Sequence, residues 1–159
     1  SAKDYGVFYY MIVYTMYDGI ELPKKAHAGD LGYDLQSAED VTVNPGQVVT
    51  ISTGIKIQFP TGWGALIKDR SSMATKRKLI TVAGVIDSSY RGEIKVALYN
   101  IGNEVQHIKR GDRIAQFIMY PVMDVMQIEQ IYSEDEWKAI LEAEHHNTRL
   151  EGGFGSTGV

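Results

Sequence analysis

Apolar positions along this chain mostly alternate with polar ones instead of recurring every three or four residues, which is the period of strands that bury one face. Within Val48 to Phe59, Ile55, Ile57 and Phe59 alternate with Lys56 and Gln58; Ile94, Val96 and Leu98 repeat the pattern. Val7 to Tyr17 is dense in aromatic and β-branched residues, the types that fill a pleated, half-buried surface. Turn signals at Asn44-Pro45-Gly46, Pro60-Thr61-Gly62, Asn100-Ile101-Gly102-Asn103 and Lys109-Arg110-Gly111-Asp112 punctuate these runs at the spacing of a sandwich or barrel of short strands. One stretch departs from the alternation. Ser133-Glu134-Asp135-Glu136 has the sequence of a capping box, Tyr132 and Trp137 occupy hydrophobic-staple positions, and Ala139 to Glu144 supplies good helix formers, which predicts one helix near 133–146. Arg149 to Val159 is glycine-rich and reads as an irregular, mobile arm. With no internal repeat and no linker, the organisation expected is a β domain over 1–148 and an arm over 149–159 that is part of the same domain.

Composition narrows the chemistry. A chain of 159 residues that is 44% hydrophobic and 23% charged folds as one unit and is not disordered. Sixteen basic against twenty acidic residues leave a formal charge of −4, so no global positive field holds nucleic acid, and any phosphate must be met locally. The absence of cysteine excludes a disulfide scaffold, thiolate zinc and thiol catalysis, and suits a reducing compartment. The longest uncharged apolar stretch, Val7 to Tyr17, has eleven residues against the roughly 20 of a membrane helix. Asp18-Gly19-Ile20-Glu21, which follows it, offers no leader-cleavage pattern. The location expected is therefore cytoplasmic, or nuclear or host-cell interior for a eukaryotic or viral source, with no membrane partner.

Five polar turn segments carry residues that folding alone does not require. In Gly29-Asp30-Leu31-Gly32-Tyr33-Asp34-Leu35 the acids either approach a metal-bound ligand or cap their own turn. Asp69-Arg70-Ser71-Ser72-Met73-Ala74 places a guanidinium, two hydroxyls and turn amides at one strand end, either a phosphate cradle or an ordinary surface turn. In Thr81 to Gly92, Asp87 follows an apolar-or-glycine run, the setting of a general base for water or of a turn-starting acid; Tyr90 is a flat wall for a sugar or base, or a core aromatic. In Gly111 to Ile118, Arg113 and Gln116 interrupt an apolar strand pattern, and Gln116 is either hydrogen-bonded structurally or presented into a site. The tail from Arg149 to Gly158 offers amides, hydroxyls, a charge and the Phe154 face, the parts of a phosphate-and-base clamp or of a loose terminus.

In this order, Asp-Leu-Gly-Tyr-Asp-Leu, Arg-Ser-Ser, Gly-Val-Ile-Asp-Ser-Ser-Tyr-Arg-Gly, Gly-Asp-Arg-Ile-Ala-Gln and Gly-Gly-Phe-Gly-Ser-Thr-Gly resemble the five motifs of the trimeric deoxyuridine triphosphate nucleotidohydrolases, the dUTPases, from about Leu22 to Val159. The resemblance implies an all-β, distorted jelly-roll barrel, a homotrimer whose sites combine segments of three subunits, and hydrolysis of dUTP to dUMP and pyrophosphate with Mg2+ as cofactor. It implies Asp87 as the base that activates water toward the α-phosphorus, and Asp34 as the holder of a water on a magnesium bound mostly by the triphosphate. By the same resemblance Arg70, Ser71, Ser72 and Gln116 bind phosphate oxygens, and Lys95 joins the substrate-binding set. Thr81, Gly84, Val85 and Ile86 belong to a hairpin that reads uracil through backbone groups, and Tyr90 packs on the deoxyribose. Arg149, Phe154, Gly155, Ser156 and Thr157 form a lid closing from a neighbouring subunit.

The chain departs from the family pattern at Leu150, where glycine is usual after the tail arginine, at Thr81, which replaces an asparagine of some members, and in the long 133–146 stretch. Two other readings compete. dCTP deaminases share the fold and an Arg-Ser-Ser segment, but the complete glycine-rich tail and the Gly-Val-Ile-Asp…Tyr run argue against them. The second is a trimeric binding module that uses the 133–146 helix toward a protein partner.

Overall fold

Strict alternation becomes strand wherever one face finds a partner sheet. A computed structural model describes residues 10–124 and 127–144. The elements run β1 (Ile12–Thr15), β2 (Tyr33–Gln36), β3 (Val41–Val43), β4 (Val48–Gln58), β5 (Trp63–Lys68), α1 (Ser71–Lys76), β6 (Leu79–Val82), β7 (Val85–Ile86), β8 (Glu93–Asn100), β9 (Gln106–Ile108), β10 (Arg113–Pro121) and α2 (Glu134–Ala143). The strands form antiparallel sheets in the orders β1-β4-β8-β6 and β2-β10-β5-β7, with β3-β9 as a separate pair. This is the all-β, jelly-roll-like architecture expected from the alternation and from the resemblance.

The residues that set the period are those that are buried. Ile55, Ile57 and Phe59 from β4 and its exit join Ile94, Val96 and Leu98 of β8, Leu35 of β2 and Phe117 of β10 in one apolar core. Phe117 stacks on Tyr33 with ring centroids 5.0 Å apart and meets Phe59 edge-on at 6.2 Å. Such pairs add about 0.5–1.5 kcal/mol beyond their buried area. With Ser37 and Thr53, Asn100 is a buried polar residue, and its amide is fully used: Nδ2 donates to the carbonyls of Val43 and Glu104, and Oδ1 accepts from the Gly102 N–H.

Two local features go beyond the alternation. Of the residues from Val7 to Tyr17 only Ile12–Thr15 form a strand, residues 7–9 lying outside the described residues. A six-residue helix, α1, follows β5, and its one buried side chain is Met73, so no periodic apolar stripe announces it.

The chain divides into two units at Met123. In the second, the helix foreseen near 133–146 is α2, started by the foreseen capping box: the Glu136 N–H donates to Ser133 Oγ at 3.1 Å and the Ser133 N–H to Glu136 Oε2 at 3.3 Å. The Tyr132 N–H also donates to this carboxylate, and these bonds, Tyr132 first, hold the Glu136 carboxyl below its ordinary value. The staple is weak, since Tyr132 is 84% exposed. Among the described residues no helix is long and apolar enough to cross a membrane.

Candidate active site

Strand pairing assembles the first pocket. β10 lies between β2 and β5, so that Gln116 faces Asp34 on one side and Lys68 on the other. Arg70, two residues beyond Lys68, turns its guanidinium back to this edge: Nε donates to Asp34 Oδ1 at 3.0 Å, while Arg113 Nη1 stands 3.5 Å from Oδ2. Asp34 is thus a largely buried carboxylate, 16% exposed, clasped by two cations. Gln116 Nε2 donates to the Asp69 carbonyl at 2.8 Å. Its other end presses on Gly32, where a Cβ would stand 2.1 Å from Gln116 Oε1, so only glycine fits. The result is a pocket of about 250 Å³ lined by Asp30, Gly32, Asp34, Arg70, Ser71, Ser72 and Gln116. A guanidinium, two hydroxyls and an amide converging at one strand edge make an oxyanion-binding surface.

The second pocket, of about 240 Å³, lies on the strand-to-strand connection that carries Asp87. β6 and β7 are joined by Ala83 at φ 59° and Gly84 at φ 104°. The Gly84 carbonyl accepts from the Ile67 N–H at 2.8 Å, and a Cβ there would come 3.0 Å from the Ile67 carbonyl oxygen, which pins the turn on β5. Beyond β7, Asp87 is exposed and its carbonyl accepts from the Tyr90 N–H at 3.1 Å. Tyr90 donates its hydroxyl to the Glu93 carbonyl at 2.8 Å, which fixes the ring over Gly92. The Glu93 carboxylate accepts from Ser52 Oγ and the Gly54 N–H, and Lys95 Nζ stands 4.0 Å from it. Val85, Ile86, Asp87, Tyr90, Glu93 and Lys95 line this pocket, two acids, a ring and a cation around an apolar floor.

Of the residues singled out in the sequence, Asp34, Arg70, Ser71, Ser72 and Gln116 gather in the first pocket, and Val85, Ile86, Asp87, Tyr90 and Lys95 in the second. Thr81 and Gly84 lie in the hairpin that leads to the second; the Thr81 N–H and hydroxyl both donate to Asp69 Oδ1, at 2.6 and 2.7 Å. Arg149, Phe154, Gly155, Ser156 and Thr157 lie outside the described residues. Sequence reasoning gave no role to Asp69, Glu93 or the Arg113 guanidinium, because each acts through a partner distant along the chain. The one available signal was Arg113 interrupting an apolar strand. Among the described residues no three His, Asp or Glu side chains converge on one point. Asp30 and Asp34 in one pocket suit a hard cation that arrives with its own oxygen ligands, such as magnesium on a polyphosphate, better than one caged by protein.

Fold and pockets together define a small β-barrel protein furnished to hold an oxyanionic ligand at one strand edge and a flat group beside an acid at another. The dUTPase family model matches residues 18–158, and the chain belongs to the dUTPase family. It is 41% identical over 149 residues to the deoxyuridine 5'-triphosphate nucleotidohydrolase of Paramecium bursaria Chlorella virus 1, covering 94% of this chain and 98% of that one. Its identity to the Mycobacterium marinum protein of the same name is 41% over 143 residues, covering 88% and 89%. A variant of the Staphylococcus bacteriophage 80alpha dUTPase, solved with dUpNHpp, superposes with a TM-score of 0.78 at 25% identity, over 94% of this chain and 99% of that one. The dUTPase of Staphylococcus aureus phage phi11, a protein that coordinates a structural Mg(II) ion, shares the fold with a TM-score of 0.72 at 22% identity, over 79% and 99% of the two chains.

Proposed function

We propose that this protein hydrolyses dUTP to dUMP and pyrophosphate. The observation that carries the reading is that all five polar segments of the family occur in a chain that matches the family over 18–158, with the described members of those segments grouped into two furnished pockets. In this reading Asp87 takes a proton from water as its oxygen attacks the α-phosphorus, and the bond to the bridging oxygen breaks to release pyrophosphate. Exposure keeps the Asp87 carboxyl within reach of water. Arg70, Ser71, Ser72 and Gln116 hold phosphate oxygens and meet the charge that develops on them. Magnesium would be held mainly by the triphosphate, with Asp34 as the side chain that would hold it through a water, and it would supply neutralisation of phosphate charge.

Base and phosphate groups occupy pockets that share no lining residue, which supports sites completed between copies of the chain in a homotrimer. With the Thr81 N–H and hydroxyl engaged by Asp69, base reading falls to Ala83-Gly84 and the start of β7. Tyr90, locked on Glu93, forms the sugar wall, and Lys95 closes the same pocket. In this reading residues 1–148 form the barrel domain, and the arm over 149–159, with Arg149, Phe154, Gly155, Ser156 and Thr157, closes as a lid over the site of a neighbouring subunit. Inside the cell, in the cytoplasm, the reaction limits uracil incorporation into DNA and supplies dUMP for thymidylate synthesis.

The test is pyrophosphate release with magnesium from dUTP, dCTP, dTTP and UTP under one condition. Release from dUTP alone is the expected result, and silence on all four overturns the reading. A second, added role is favoured by α2, which buries none of its residues and leaves Trp137 46% and Ile140 40% exposed: contact with a protein partner through 133–146. Affinity capture with and without that segment tests it, and identical partners from both refute it.

A further inference from the structure

Asp69 stands immediately before the pocket arginine, between the end of β5 and α1, and no chemistry of the phosphate pocket calls for an acid there. Its three bonds run in two directions. The side chain accepts twice, through one oxygen, from the N–H and hydroxyl of Thr81 on β6. The backbone carbonyl accepts from Gln116 Nε2 on β10. β6 belongs to one four-stranded sheet, β5 and β10 to the other, so this residue fastens the two sheets together at the point where the phosphate-side turn meets the base-side hairpin. Thr81 lies two residues before the Ala83-Gly84 turn, which is also held to β5 by the Ile67 N–H donating to the Gly84 carbonyl and, just beyond it, by the pairing of β7 with Ala65 and Leu66.

Both donors are short, at 2.6 and 2.7 Å, and converge on a part-buried carboxylate, the arrangement in which a charge-assisted bond is stronger than a neutral one. Removal of the acceptor leaves two donors to find water at once, and the hairpin, though still paired to β8 and β5, loses its side-chain tie to the turn that carries Arg70. A displacement of about 1 Å in a positioning element can lower catalytic efficiency on the order of a hundredfold.

Resting on the dUTP-hydrolase reading above, we infer that Asp69 is a positioning residue that sets the height of the β6–β7 hairpin against the Arg70-Ser71-Ser72 turn, and through it the discrimination between uracil and thymine. It touches no reacting atom. Asn at this position keeps an oxygen that accepts from both Thr81 donors, whereas Ala keeps none.

The experiment compares Asp69→Ala, Asp69→Asn, Thr81→Val and the Asp69→Ala/Thr81→Val pair. KM and kcat are determined separately for dUTP and dTTP, and amide exchange is followed in peptides covering 79–86 and 113–117. Asp69→Ala is expected to raise KM for dUTP about tenfold and to shrink the preference over dTTP by a similar factor, with kcat held within about threefold. Asp69→Asn restores both to within about threefold of wild type, which a merely destabilised barrel would not explain, and the double variant is less than additive because both singles break one tie. Asp69→Ala with wild-type KM and selectivity overturns the inference, as do additive effects. Should that variant not fold, Thr81→Val carries the test with a change of about threefold in the same direction, and no change refutes it. Failure of the substrate assignment appears separately, as a wild-type chain inactive on dUTP. The tie is then judged on exchange, and unchanged protection at 79–86 in Asp69→Asn alongside lost protection in Asp69→Ala supports it, while equal protection in both overturns it.

Discussion

Gly32 offers the sharpest single-atom test of the pocket that Arg70 and Gln116 line. Its φ is not in the left-handed region, so Gly32→Ala carries no backbone objection, only one of space. The added Cβ would lie 2.1 Å from Gln116 Oε1, 2.8 Å from its Cδ and 3.0 Å from its Cβ. The far end of a side chain can swing away, but a contact at Cβ cannot be relieved by rotation, so the amide must leave and β10 must yield slightly. Leaving breaks the 2.8 Å bond from Gln116 Nε2 to the Asp69 carbonyl. An unmet buried acceptor costs about 1–3 kcal/mol and overpacking about 1–3 kcal/mol; since this pocket opens to solvent and water replaces part of the loss, about 2 kcal/mol in total is expected. For a chain of this size that lowers Tm by about 4–8 °C. Removing one placed donor from a site of developing charge lowers kcat/KM on the order of a hundredfold. Thermal unfolding and pyrophosphate release from dUTP read the two effects. Adding Gln116→Ala to Gly32→Ala should recover most of the Tm and none of the activity. Wild-type Tm together with wild-type kcat/KM in Gly32→Ala would refute the packing of Gln116 on Gly32.

Asp87→Asn should leave Tm unchanged, since the side chain is exposed, while turnover falls about 10²- to 10⁴-fold; near-wild-type turnover removes Asp87 from its role. Tyr90→Ala empties the wall beside Asp87 and should allow measurable UTP hydrolysis, and unchanged rejection of UTP would count against the sugar-wall role. Glu136, held below its ordinary carboxyl value by the Tyr132 and Ser133 bonds, contributes helix stability that is present above its unfolded value and lost as pH falls through the folded one. Carbon-13 titration of the full chain should therefore show Glu136 below the ordinary glutamate value, with α2 amides losing protection in acid, and titration at the ordinary value would contradict the capping box.

What was legible in the sequence followed from burial with a short period. β8 alternates buried residues with partly covered or exposed ones along its whole length, and the Ile55, Ile57 and Phe59 positions are all in the core, because a strand between two others has one dry face. Ser133 to Glu136 could be read because a capping box is a local contract between residues three apart. Strand order could not. That β4 pairs with β8 and β1, and β10 with β2 and β5, depends on contacts between residues far apart, which no window of alternation encodes. α1 escaped for the opposite reason, since a six-residue turn with one buried methionine has no room for a period to show.

Gln116 shows how the two kinds of information meet. Read alone, it was a polar residue in an apolar strand with two open explanations, a structural bond or a place in a site. The register of β10 against β2 slips between Arg113 and Ala115, so Ile114 and Ala115 both enter the core and the next residue, paired between β2 and β5, is left half-buried. There its amide nitrogen bonds to the Asp69 carbonyl, and the same side chain lines the pocket of Arg70 and Asp34. The explanations are therefore one: the structural bond is what holds the amide in the pocket. A glutamine that only filled space could be replaced by methionine at small cost, whereas this one cannot lose its donor without releasing the turn that carries Arg70. Gly32, Gln116, Asp69 and Thr81 form a line from the first polar segment to the third, and it is this line, not the separate acids and arginines, that makes four short stretches of sequence behave as one site.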